Sequence, residues 1–173
     1  IREEKYYDVL DYYNKPKLKI TEEDAADEVE KLFASAFQYR MVSDVPVGVF
    51  LSGGYDSSVV TAILQKNNTS PVKTFTIGFS DEKYNEAVHA KEIANYLGTD
   101  HHEYYCTTKE AQDILPSLPE IFDEPFADSS AIPTILVSRM ARKEVTVSLS
   151  ADGGDEIFAG YKKYGTLKKL NHL

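Results

Sequence analysis

From residue 21 onward the apolar positions switch between two periods, and each switch marks an element. Thr21 offers a helix N-cap, and Glu22, Glu23 and Asp24 place negative charge at the positive end of a helix dipole. Ala25, Val29, Leu32, Phe33, Ala36 and Phe37 then recur at spacings of three and four, which predicts an amphipathic helix to about Arg40. Residues 47–51 are apolar at consecutive positions, as in a strand buried on both faces of a parallel sheet, and the run stops at Ser52-Gly53-Gly54. After Asp56 the helical period returns with Val59, Val60, Ile63 and Leu64 and ends at Asn67-Asn68.

The same alternation continues along the chain. A second strand is expected over residues 74–79, then a helix from about Asn85 with Ala87, Ala90, Ile93, Ala94 and Leu97 inward and Gly98 as its stop. Residues 101–106 read as a third strand, 109–115 as a short helix, 132–142 as an apolar helix after Pro116, Pro119 and Pro125, and 145–149 as a fourth strand. Strands alternating with helices imply right-handed crossovers and an α/β doubly wound parallel sheet, with ligands beyond the carboxyl ends of the strands. Residues 1–20 are polar, tyrosine-rich and interrupted by Pro16, and read as a linker or arm, leaving residues 21–173 as the domain.

Composition narrows the function classes. The chain has 173 residues, 42% hydrophobic and 27% charged, which suits one globular domain. With 19 Lys and Arg against 28 Asp and Glu, the net charge of −9 is unfavourable for neutralising a polynucleotide, so nucleic acid is not expected as a partner. The single Cys106 allows no internal disulfide and no multi-cysteine metal site, and it suits a reducing cytoplasm. No apolar run approaches the roughly 18–20 residues a membrane helix requires, and no signal peptide is apparent. The chain starts at Ile1, and residues 168–173 carry no helix stop signal, so a domain incomplete at its C-terminus is expected.

Two loops start where strands are expected to end. Ser52-Gly53-Gly54-Tyr55-Asp56-Ser57-Ser58 follows the first strand, and Ser150-Ala151-Asp152-Gly153-Gly154-Asp155-Glu156 follows the fourth, so both point to one edge of the sheet. In the first, paired glycines let backbone N–H groups converge on an anion, and the following helix adds its positive end. Ser52, Ser57 and Ser58 offer neutral donors, whereas Asp56 would repel bare phosphate and calls for a divalent cation between them. The competing reading is a tight strand-to-helix turn in which Asp56 or Ser57 is an N-cap, and the second loop is open to the same reading as an acidic helix cap. Neither G-x-x-x-x-G-K-S/T nor G-x-G-x-x-G occurs, which removes the motifs of P-loop phosphoryl transfer and of dinucleotide binding.

The first loop resembles the pyrophosphate loop of the N-type ATP pyrophosphatases, which cleave ATP to AMP and pyrophosphate while adenylating a substrate. Within that group, residues 45–58, Phe75-Thr76-Ile77-Gly78-Phe79 and residues 150–161 resemble the synthetase domain of glutamine-hydrolysing asparagine synthetases, in the same order. Tyr84-Asn85-Glu86 with Ala90, Ala94, Leu97-Gly98-Thr99 and His102 extends the likeness, which covers about residues 21–164. The resemblance implies that Ser52, Gly53, Gly54, Asp56, Ser57 and Ser58 hold pyrophosphate and Mg²⁺, and that Leu51 lines the nucleotide site. Ile77 and Gly78 correspond to the segment meeting adenine, Ser150, Ala151 and Asp152 to the loop near the α-phosphate and substrate, and Asp155 to the second metal-binding carboxylate. Two carboxylates from two strand ends can share Mg²⁺, which offsets charge on departing pyrophosphate. The resemblance implies Asp152 and Asp155 as the catalytic carboxylates, with Asp56 and Asp155 as metal ligands. The segment Asp123-Glu124-Pro125-Phe126-Ala127-Asp128-Ser129-Ser130 resembles a variant of asparagine-synthetase-like amidotransferases, which would bring Asp128 and Ser129 to the amino-acid substrate.

The implied activity is ATP-dependent amide formation from aspartate through β-aspartyl-AMP, with ammonia from glutamine supplied by an N-terminal glutaminase domain and a homodimer as the candidate assembly. Ala151 and Asp152 stand where the family usually has Gly and Glu, which leaves open an amidotransferase acting on another carboxylate, such as a sugar acid. A nucleotide-binding module without turnover is a third reading, and a tRNA-modifying pyrophosphatase is opposed by the negative charge. Elsewhere the plain readings lead: Cys106 as a buried strand residue, His101-His102-Glu103 as a polar strand without zinc spacing, and Lys162, Lys163, Lys168 and Lys169 as a solvated face. The sequons in Asn67-Asn68-Thr69-Ser70 read as incidental.

Overall fold

The computed structural model describes residues 3–79, 85–125 and 127–170; Tyr84, Phe126, Asn171, His172, Leu173 and the side chain of Lys168 lie outside the described residues. The arm is not wholly irregular: Asp8 accepts from Leu10 N–H and starts a short helix, α1 (Val9–Tyr13), that buries no residue. Thr21 caps α2 (Glu22–Met41) by accepting from Asp24 N–H at 3.1 Å, as the sequence predicts. Thereafter come β1 (Val47–Phe50), α3 (Tyr55–Asn67), β2 (Lys73–Phe79), α4 (Ala87–Leu97) and β3 (Asp100–Cys106). The chain continues through α5 (Thr108–Ile114), a 3-10 turn (Leu115–Ser117), α6 (Leu118–Ile121), α7 (Ala131–Ala141), β4 (Val147–Leu149), α8 (Gly154–Phe158) and α9 (Lys162–Leu170).

The four strands form one sheet in the order β3-β2-β1-β4, and every neighbouring pair is parallel. Helices cover both faces, as a parallel sheet requires. On one face Val49 of β1 packs with Val60, Leu64 and Val72, and Leu51, just past the strand end, packs with Ala90 and Ala94, so the chain meets α3 and then α4. On the other face Phe75 packs with Val137 and Ala141, and Cys106 with Ile114, Ile135 and Leu136. The fold is the expected α/β parallel architecture.

The winding order positions the site. The connections from β1 to β2 and from β2 to β3 step toward one edge, while the connection through α5, α6 and α7 returns to place β4 on the other side of β1. The winding direction therefore reverses between the neighbours β1 and β4, and a crevice opens beyond their carboxyl ends.

Some expectations need correction. Leu32 is 60% exposed, and α2 buries no residue: its apolar stripe flanks an open groove of about 800 Å³ shared with α3 and α8. Pairing in β4 starts at Val147 and not at Val145, because Thr146 N–H turns to the carbonyl of Pro46 at 3.0 Å. Burial pushes the Cys106 thiol up, the opposite of what a nucleophile requires, in keeping with its reading as a strand residue. His101 and His102 lie in edge strand β3, and burial pushes the His101 imidazole down while its Nδ1 lies 2.8 Å from the Thr74 hydroxyl. Among the described residues no group of three or more His, Cys, Asp or Glu could by itself hold a metal, and no helix is long and apolar enough to cross a membrane.

Candidate functional site at the ends of β1 and β4

The first loop is built from its own hydrogen bonds. Ser52 N–H donates to the Ser57 hydroxyl oxygen at 3.1 Å, the two hydroxyls lie 3.0 Å apart, and Gly54 N–H donates to the Ser52 hydroxyl oxygen at 3.3 Å. The Ser57 and Ser58 hydroxyls donate to the Gly54 carbonyl at 3.2 and 2.7 Å. These short-range bonds fold the chain from strand to helix within a few residues. The strand end is itself anchored: Leu51 N–H reaches the Phe75 carbonyl at 2.9 Å, and the buried Thr76 hydroxyl donates to the Leu51 carbonyl.

Helix α3 starts at Tyr55 with Gly54 as its N-cap and no side-chain cap, so neither Asp56 nor Ser57 plays the capping role of the competing reading. The N–H groups of its first turn keep no side-chain partner and, with the helix dipole, favour an anion. Gly53 adopts φ +84°, and a Cβ there would lie 2.9 Å from Ala90 N and 3.1 Å from His89 Cβ. The loop is thus pressed against the first turn of α4.

The second loop turns through Gly153 at φ +96° into α8, whose first turn holds Asp155 and Glu156. Ile157 N–H donates to the Gly153 carbonyl at 3.1 Å, and Gly160 N–H to the Asp155 carbonyl at 3.0 Å. The two loops meet: a Cβ on Gly154 would fall 2.4 Å from Asp56 Oδ2, so the Asp56 carboxylate lies against the backbone of the second loop.

Between them lies a cavity of about 620 Å³. Its wall contains Leu51, Ser52, Gly54, Asp56 and Ser57 from the first strand end, Ile77 from β2, and Ser150, Ala151, Asp152 and Asp155 from the second loop. Gly53, Ser58 and Gly78 do not line it: Gly53 faces α4, the Ser58 hydroxyl turns back to Gly54, and Gly78 lies against the Tyr105 ring. Asp128 and Ser129 are also outside the wall, because Asp128 accepts from Ser130 N–H at 2.8 Å within its own turn, a bond that also lowers its carboxyl. Ser130, Pro133 and Thr134, one turn onward, line the cavity in their place.

Sequence reading also passed over Thr76 and Glu86, which both line the cavity. Thr76 had a signal, since it is a polar position inside an apolar strand; Glu86, at the start of a helix, had none. Among the described residues the wall holds four acidic side chains, Asp56, Glu86, Asp152 and Asp155, and no Lys or Arg. A donor-rich loop beside unneutralised carboxylates suits a phosphate that arrives with a cation.

The asparagine synthase family model matches residues 28–173. The chain belongs to the asparagine synthase family. A Methanocaldococcus jannaschii relative, provisionally named asparagine synthetase (glutamine-hydrolyzing) 2, is 45% identical over 165 residues, covering 93% of this chain and 30% of that protein. Bacillus subtilis asparagine synthetase (glutamine-hydrolyzing) 1 is 41% identical over 145 residues, covering 83% of this chain and 23% of that protein. The chain therefore spans less than a third of the length of these two asparagine synthase family relatives. Among solved structures, the NH3-dependent NAD synthetase of Campylobacter jejuni superposes with a TM-score of 0.54 at 16% identity, covering 78% of this chain and 60% of that one, a likeness of fold.

Proposed function

We propose that this chain is the ATP-using part of a carbon–nitrogen ligase that converts aspartate to asparagine. The observation that carries the reading is the convergence of the two glycine loops of an asparagine synthase family member on one cavity, with Asp56 against Gly154. ATP lies with its β- and γ-phosphates over Ser52, Gly54 and Ser57 and the start of α3, and its adenine lies toward Leu51 and Ile77. Asp56 and Asp155 are the residues that would hold Mg²⁺, and only together with the nucleotide, because two carboxylates alone do not complete its shell. The bound cation supplies charge neutralisation on the leaving pyrophosphate.

A substrate carboxylate oxygen attacks the α-phosphorus, the bond from phosphorus to the bridging oxygen breaks, and pyrophosphate departs with that electron pair. The aspartate thereby becomes β-aspartyl-AMP. Ammonia then attacks the acyl carbon, AMP leaves, and the amide nitrogen loses a proton. Ser150, Ala151 and Asp152 face the reacting end, and Asp152 is positioned for the amino-acid part. In the full-length protein ammonia comes from glutamine through a glutaminase domain, as the names of the relatives suggest for them. A homodimer and a cytoplasmic setting belong to the same reading.

Calorimetric titration of Mg²⁺-ATP into the folded chain and into Asp56→Asn and Asp155→Asn tests the site, with about tenfold weaker binding expected in each variant. Aspartate-dependent release of AMP and pyrophosphate by the full-length protein tests the reaction. Release driven by another carboxylate but not by aspartate would favour the second reading, motivated by Ala151 and Asp152, of an amidotransferase with a different acceptor. Nucleotide binding without AMP release for any carboxylate would leave only a binding module.

A further inference from the structure

A second cavity, of about 310 Å³, lies on the α7 face of the sheet between α5, α7 and β3. Its size is at the lower end of the roughly 300–1,000 Å³ of small-molecule sites. Ile114, Leu136 and Met140 supply apolar surface. The flanking segments are oppositely charged: α5 contributes Glu110 and Asp113, while Arg139 on α7 and Lys143 in the turn just past its end contribute two bases to the same cavity wall.

These charges do not meet across the cavity. Asp113 is paired within its own helix to Lys109 at 2.9 Å. Glu110 accepts from the Tyr104 hydroxyl and from the N–H and hydroxyl of Thr107 at 2.8 and 2.7 Å. Those bonds, Tyr104 first, hold its carboxyl at about 2, so Glu110 stays anionic at any ordinary pH. Among the described residues the side chains of Arg139 and Lys143 engage no partner, so two cations and two anions border an apolar floor with room between them.

We propose that this cavity binds a free α-amino acid as its zwitterion. Arg139 and Lys143 take the carboxylate, Glu110 and Asp113 face the ammonium, and an apolar side chain lies on Ile114, Leu136 and Met140. The site is separate from the loop cavity, although α7 touches both: Ser130, Pro133 and Thr134 border the loops, and Arg139 and Lys143 border this cavity. The inference does not rest on the proposed reaction. The plain alternative is that the two bases only complement the negative end of α7.

L-leucine is the probe, titrated calorimetrically into the chain beside isocaproate, which lacks the ammonium, and isopentylamine, which lacks the carboxylate. Leucine is expected to bind at least about tenfold more tightly than either analogue. Arg139→Gln and Lys143→Gln, both exposed and so expected to keep the wild-type circular dichroism, are each expected to weaken it about tenfold. Asp152→Asn, in the loop cavity, is expected to leave leucine affinity unchanged, which separates this site from the proposed substrate site. Absence of leucine binding, equal binding of an analogue, or a loss in Asp152→Asn without one in Arg139→Gln and Lys143→Gln would overturn the proposal.

Discussion

The loops after β1 and β4 have similar sequences and end at the same cavity, yet they are held in different ways. In the first, Ser57 is 6% exposed and joins Ser52 and Gly54 through bonds spanning no more than five residues, and Gly53 is wedged against α4. In the second, Asp152 is exposed, a Cβ on Gly153 would meet nothing within 4 Å, and the turn out of α8 places Ala159 at φ 55°. The first loop is a prefabricated cradle; the second is positioned by its neighbour, through Asp56 on Gly154 and the Phe158 ring edge-on to Phe33 at 5.8 Å. A fixed, donor-rich loop facing a less constrained acidic loop suits the proposed reaction, in which phosphate must stay put while the group attached to it changes.

Replacing the equivalent glycines separates the two most strongly. Gly53→Ala adds left-handed strain of about 1–2 kcal/mol and a clash with the α4 backbone of about 1–3 kcal/mol, for an expected loss of roughly 2–5 kcal/mol in urea unfolding. A loss below about 1 kcal/mol would mean that the loop can move away from α4. The hub of the first loop comes next. Ser57→Ala leaves Ser52 N–H without its acceptor in a part-buried setting and is expected to cost about 1–2 kcal/mol. Ser57→Thr, which keeps the oxygen, is expected to recover part of that loss if its added methyl is accommodated. In the second loop, Gly153→Ala meets no atom and carries only the backbone term, about 1–2 kcal/mol by the same unfolding measurement.

The same contrast explains how much of the molecule could be read from its residues. The strands and the helices α2 to α5 and α7 announce themselves through period, whereas α6 (Leu118–Ile121) lies in a Pro-punctuated stretch that carries no helical expectation. The first loop shows itself through a run whose bonds are local, so its geometry follows from its own sequence. Short α1 had only Asp8 to mark it, in a segment without apolar period. Leu32 has the right spacing for an inward face, but α2 packs beside an open groove and leaves that position in solvent. Asp128 and Ser129 look like substrate contacts in a motif, whereas the turn before α7 directs Asp128 to Ser130 and brings Ser130, Pro133 and Thr134 to the wall. Thr76 is marked only as a polar position in an apolar strand, and the contribution of Glu86 depends on how α4 sits against β1, which no local pattern encodes.

The smallest effect tests whether the two loops act as one site. Gly154 starts α8, where alanine is intrinsically about 1 kcal/mol more favourable than glycine, so Gly154→Ala is expected to leave urea stability unchanged or slightly raised. Its Cβ, however, would stand 2.4 Å from Asp56 Oδ2, and the carboxylate, as the free end of a side chain, must rotate away. If Asp56 and the second loop hold the same cation, that rotation weakens Mg²⁺-ATP binding severalfold, about 0.5–1 kcal/mol, in a protein that is no less stable. Calorimetry on Gly154→Ala beside Gly153→Ala reads this directly: the Gly153 variant loses stability and keeps its nucleotide affinity, and the Gly154 variant does the reverse. Equal affinities in the two variants would show that Asp56 meets the second loop only as packing, and the cation would then belong to the first loop and the phosphates alone.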